Sequence, residues 1–139
     1  MTSSTNYRKI RTFQRMYAIN IIGAGIPGFL IVFFPDFAEQ HVLWPGQDRA
    51  VMAIVGSIWL AIGIASLLGI YRPLRFLGIF VVQLIYKLIW LTSSALPNIV
   101  AGNTNPAMWI IIGIFVLLII EFVLVVRKED FQVVISEAQ

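Results

Sequence analysis

The sequence predicts an all-α integral membrane protein: an antiparallel four-helix bundle with both termini in the cytoplasm and short interfacial helices at the N-terminus and in the outer loop. Three observations predict it. Four apolar runs, near residues 16–34, 50–70, 74–96 and 106–126, are each long enough to cross a hydrocarbon core of about 30 Å. Only 12% of the residues are charged, against about 25% in ordinary soluble domains, and mean hydropathy is +0.87. The basic residues alternate from one connection to the next. The runs leave little chain over, so residues 1–139 read as a single membrane domain.

Orientation follows from those basic residues. Arg8, Lys9, Arg11 and Arg15 precede the first run, Arg72 and Arg75 lie between the second and third, and Arg127 and Lys128 follow the fourth. The first connection holds Arg49 among Asp36, Glu39 and Asp48, and the third, Asn98 to Asn105, has no basic residue. Positive charge is retained on the cytoplasmic side, which places both termini there. The first run is too long for a signal h-region and reads as a retained span.

Along the chain, Thr5 is a candidate N-cap for a short basic helix over residues 5–17, carrying Ile10 and Phe13 toward the headgroups. Span one holds Asn20 and then Gly23, Gly25, Pro27 and Gly28. Pro27 is expected to kink it, leaving either a broken helix that lines a small site or close packing around the kink. The outer segment from Pro35 to Arg49 reads as a short surface helix with Phe37, Val42, Leu43 and Trp44 toward the interface. Its Asp36, Glu39, His41 and Asp48 follow no metal-site spacing, and no metal is expected. Span two repeats Ala53, Ser57, Ala61, Ala65 and Gly69 at every fourth position, with Gly56 and Gly63 flanking. Such a ridge admits a closely approaching helix, either of this chain or of another subunit. Tyr71-Arg72-Pro73-Leu74 is short enough to join spans two and three as a tight hairpin. Asn105-Pro106 caps and starts span four.

Two charges lie within the apolar runs. Lys87 is twelve residues past Arg75, roughly 18 Å deep, and Glu121 is six residues before Arg127, roughly 9 Å deep. A lysine at mid-membrane costs about 3 kcal/mol on insertion scales. Gln83, Lys87, Trp90 and Ser94 share one face of span three, so with Asn20 and Glu121 they form the candidate intramembrane polar site. Side chains lean toward the N-terminus of their helix, so Lys87 and Glu121 lean toward each other. Three outcomes stand open: a Lys87–Glu121 pair, separate fates with Lys87 on Gln83 and Glu121 near Arg127, or pairing with another subunit.

The chain has no cysteine, which removes disulfides and thiolate chemistry. Its one histidine excludes bis-histidine haem ligation within one chain. No nucleophile motif or glycine-rich phosphate loop occurs, so an enzyme is not favoured and no catalytic residue is singled out. The net charge of +3 comes from residues that topology already uses, and nucleic acid is not an expected partner.

Phe33-Phe34-Pro35 at the end of span one, the short acidic outer helix, and the GSIWLAIGIASLLGIYRP stretch from Gly56 to Pro73 resemble the DoxX-like group of small bacterial four-helix membrane proteins. The resemblance covers roughly residues 15–126. It implies the bacterial inner membrane, and for some members quinone-linked respiratory oxidation; it carries no catalytic residue. The expected function is an accessory or interaction subunit of a larger membrane complex, respiratory or redox-linked. The alternative is a small oligomeric proton- or ion-coupled transporter or channel using Lys87 and Glu121. Membrane lipid and a protein partner or second copy are the expected partners. No cofactor is predicted, with bound lipid or quinone left open.

Overall fold

A computed structural model describes residues 2–41 and 48–126, and for residues 2–9 and Ala107 the backbone alone. Every regular element among the described residues is helical: α1 (Thr2–Asn20), a π-helical turn (Ile21–Gly25), α2 (Ile26–Phe33), α3 (Pro35–His41), α4 (Arg49–Tyr71), α5 (Gly78–Trp90), a second π-helical turn (Leu91–Ala95), α6 (Leu96–Val100) and α7 (Pro106–Val125). Four stretches are long and apolar enough to cross a membrane: Ile10–Phe33, Arg49–Tyr71, Gly78–Val100 and Met108–Val125.

Local chemistry sets the ends. Asp48 accepts from the N–H groups of Ala50 and Val51 at 2.8 and 3.1 Å and so caps α4. Asn105 accepts from Met108 N–H at 2.8 Å, and Pro106 occupies the first helical position, where no N–H is needed. Gly102, at φ +70°, makes the left-handed turn after α6. Asp36 and Arg49 form an exposed ion pair between α3 and the start of α4, a contact worth about 1 kcal/mol or less.

Three boundaries differ from the expectation. The N-terminal interfacial helix is not a separate element, because nothing breaks the helix between Thr2 and Asn20, and Thr5 lies inside it. Span three begins at Gly78, since residues 72–77 form turns held by Arg75 N–H to Arg72 O and Phe80 N–H to Leu77 O. It then extends to Val100, beyond the expected end. Of the expected outer helix, Pro35–His41 is present. Val42, Leu43 and Trp44 lie outside the described residues, as do Arg127 and Lys128.

Both prolines within spans are handled in one way. Pro27 has no N–H and its ring would strike the carbonyl four residues back. The preceding turn widens instead, with Ile26 N–H donating to Ile21 O, five residues earlier. Before Pro97 the same widening occurs, with Leu96 N–H donating to Leu91 O. The π-turn begins six residues before the proline in each span.

The described chain divides into two compact units, residues 1–76 and 77–139. In the first, span one packs antiparallel to α4. Phe13, Met16, Tyr17 and Asn20 are buried at i, i+3, i+4 and i+7. Gln14 Nε2 donates to Ile70 O at 3.0 Å and Tyr17 Oη to Pro73 O at 2.7 Å, so α1 satisfies one carbonyl in the last turn of α4 and one in the turn that follows. Farther along, the backbones meet through glycine. A Cβ on Gly25 would lie 3.2 Å from Gly63 Cα, and one on Gly28 would lie 2.7 Å from Gly56 O.

The second unit pairs α5 and α7, also antiparallel. Phe80 meets Phe122 at 6.4 Å between ring centroids, while Tyr86 and Trp90 meet Phe115 edge-on at 5.8 and 5.3 Å. Phe80, Gln83 and Lys87 are buried on α5, and Met108 and Phe115 on α7.

The glycine seam yields a paired prediction. Gly63→Ala places a Cβ 3.1 Å from Gly25 N and closer still to Gly25 Cα, so it lowers stability to unfolding in detergent by about 1–3 kcal/mol. Gly113→Ala meets nothing within 4 Å and leaves stability unchanged or raises it by up to about 1 kcal/mol. Equal effects of the two substitutions would contradict the seam.

Candidate functional site

Lys87 is 4% exposed and Gln83 5% exposed, one helical turn apart on α5. The lysine side chain leans back toward the N-terminus of its own helix, which brings Nζ to 2.5 Å from Gln83 Oε1, to which it donates. Nζ also lies 5.2 Å from the centroid of the Tyr86 ring and 5.7 Å from that of Phe115. The negative faces of these rings attract the ammonium. Trp90 completes the aromatic wall through its edge contact with Phe115.

The chain matches no protein-family model, no curated protein and no solved structure.

Within the chain, Lys87 bonds to Gln83 rather than to Glu121. Glu121 is half-buried on α7, and no ion pair or hydrogen bond joins it to Lys87. The ring pairs set the register: Lys87 lies level with Phe115, and Glu121 is six residues further along, roughly 9 Å away along the axis. Ser94 is half-buried beyond Trp90, and its carbonyl accepts from Asn98 Nδ2 at 2.9 Å. Gln83, Lys87 and Trp90 therefore gather around Phe115, while Ser94 and Glu121 stand apart from the ammonium.

Asn20 belongs to the other unit. It is 6% exposed, immediately before the first π-turn, and its Nδ2 has no hydrogen-bond partner among the described residues. Ser66 on α4 is fully buried and its hydroxyl is likewise without a partner there. The facing pairs Tyr17–Gly69 and Gly25–Gly63 bracket these residues and place them at one level. Other helical hydroxyls behave differently: Ser57, Thr92 and Ser93 each donate to the carbonyl four residues back. Ser66 does not, and its Oγ has no partner in the span-one interface.

The small-residue ridge is divided. Gly69 is buried against the Tyr17 ring and Ala65 is half-buried, but Ala53, Ser57 and Ala61 are exposed. The closest backbone approach within the chain runs beside this ridge, through Gly56 and Gly63, with Gly69 at the ridge's own end. Among the described residues no group of three or more His, Cys, Asp or Glu converges. At the end of α3, His41 stacks on Phe37 at 4.4 Å, with its Nδ1 3.1 Å from Phe37 O.

Several participants carried no sequence signal of their own. Phe115 is one of many large apolar residues on α7, and Ser66 one of many small residues on α4. Tyr86 was legible as a neighbour of Lys87. Pro97 was legible as a proline but fell outside the expected span.

Replacing the shared ring tests the cluster. Phe115→Leu removes the edge contacts with Tyr86 and Trp90 and the face beside Nζ, and lowers stability in detergent by about 1–3 kcal/mol. Ile114→Leu, on the exposed side of the same helix, changes it by less than about 0.5 kcal/mol. Chemical unfolding followed by circular dichroism measures both.

Proposed function

We propose that this protein is an accessory or interaction subunit of a larger complex in the bacterial inner membrane, a four-span bundle with both termini in the cytoplasm. The reading is supported above all by the uncovered face of α4. Ala53, Ser57 and Ala61 present small side chains at every fourth position and are exposed, while the packing against span one uses a different ridge of the same helix. In lipid, helices associate through small residues that let backbones come close, and this face has that chemistry over three successive turns. Span four adds to it: within Met108–Val125 only Met108 and Phe115 are buried.

The DoxX-like resemblance of residues 15–126 suggests a respiratory, redox-linked setting, in which a lipid or quinone would be the small-molecule partner. The segment Pro35–His41, with Asp36 in its first turn and Phe37 exposed, suits a place on the outer membrane surface. Transport through Gln83, Lys87 and Glu121 is less well supported, because Glu121 bonds to neither of the other two.

Purification of the tagged chain from its own membranes in mild detergent tests the proposal. The wild type is expected to co-purify in a larger assembly. Replacing Ser57 and Ala61 together by leucine (Ser57→Leu, Ala61→Leu) should dissolve that assembly while shifting the stability of the isolated chain by no more than about 0.5 kcal/mol per site. A homo-oligomer that conducts ions in liposomes and retains its size in the double variant would contradict the accessory role and favour transport.

A further inference from the structure

The donors around Lys87 outnumber the acceptors. An ammonium carries three N–H groups and no acceptor. One is directed to Gln83 Oε1, and two ring faces lie beside Nζ. The positive charge fixes the orientation of Gln83: its carbonyl oxygen must face Nζ, so its amide nitrogen points the other way. Gln83 Nε2 is buried and has no hydrogen-bond partner among the described residues. Two adjacent side chains, each about 95% buried, thus leave an ammonium with no carboxylate partner among the described residues and an amide N–H group with no acceptor there.

We propose that the Lys87–Gln83 cluster is a binding site for one monovalent anion, which accepts from Gln83 Nε2 and balances the charge of the Lys87 ammonium on the other side of the same amide. The charge sets the valence. A single negative charge makes the cluster neutral, whereas a divalent ion would leave a net charge in an apolar interior, where an unbalanced charge is costly. The chemistry is common to a halide entering from water and to the carboxylate of a fatty acid entering from the membrane. The site does not depend on the accessory role, since it lies within one unit of the chain.

The test uses the full chain in a non-ionic detergent. Its thermal unfolding midpoint is measured in sodium chloride, in sodium sulfate at equal ionic strength, and with added oleate, alongside retention of radiolabelled chloride or oleate. The wild type should bind chloride or oleate, with a raised midpoint, and should show no such rise in sulfate. Binding of chloride assigns the inorganic source, and binding of oleate alone assigns the lipid source. Gln83→Leu keeps the charge but loses the amide, and should weaken binding about tenfold, the effect of one hydrogen bond to a charged group. Lys87→Met should abolish it. Absence of binding of both ligands by the wild type, an equal rise in sulfate, or undiminished binding by Lys87→Met would each overturn the proposal. The wild-type measurement decides even where a variant fails to fold.

Discussion

Hydrocarbon offers no hydrogen-bond partner, and the structure depends on meeting that constraint from within the chain. Lys87 turns to Gln83 and to two aromatic rings. Carbonyls in the last turn of α4 and in the turn after it are met by Gln14 and Tyr17 of α1. Pro27 and Pro97, each lacking an N–H, are accommodated by π-turns that carry the helix through rather than ending it. The departures from simple apolar helix that matter most here are answers to one requirement.

That requirement also explains how much of the architecture was legible in the sequence. The four spans follow from length and apolarity, and the start of the fourth follows from Asn105, whose side chain caps by local chemistry, whereas the matching cap by Asp48 on α4 emerged only in the structure. The π-turns were not legible. A proline announces a disturbed helix, but a kink and a widened turn leave the same residues in the sequence. The ridge on α4 shows the same limit. Both Ala53–Ser57–Ala61 and Gly56–Gly63 are small and helically spaced, and only the backbone approach of span one separates the packed ridge from the exposed one.

The polar site was legible in its members and not in its bonds. The ring register puts Glu121 six residues along α7 from the level of Lys87, about 9 Å along the axis, and the Lys87 side chain is directed to Gln83. Gln83 wins because it lies one turn away on the same helix, in the direction that a lysine side chain already takes. Phe115, level with Lys87 on α7, then stands beside the ammonium. Competition from a nearer partner, rather than reach, decides the pairing, and a calculation of reach alone does not contain it.

The central claim, that Gln83 and not Glu121 is the partner of Lys87, is tested most directly by a pair of double-mutant cycles on unfolding in detergent. Lys87→Met combined with Gln83→Leu should show a coupling energy of about 1.5–3 kcal/mol, the range for a hydrogen bond to a charged group. Lys87→Met combined with Glu121→Gln should be additive within about 0.5 kcal/mol. Additivity with Gln83 together with strong coupling to Glu121 would contradict the account.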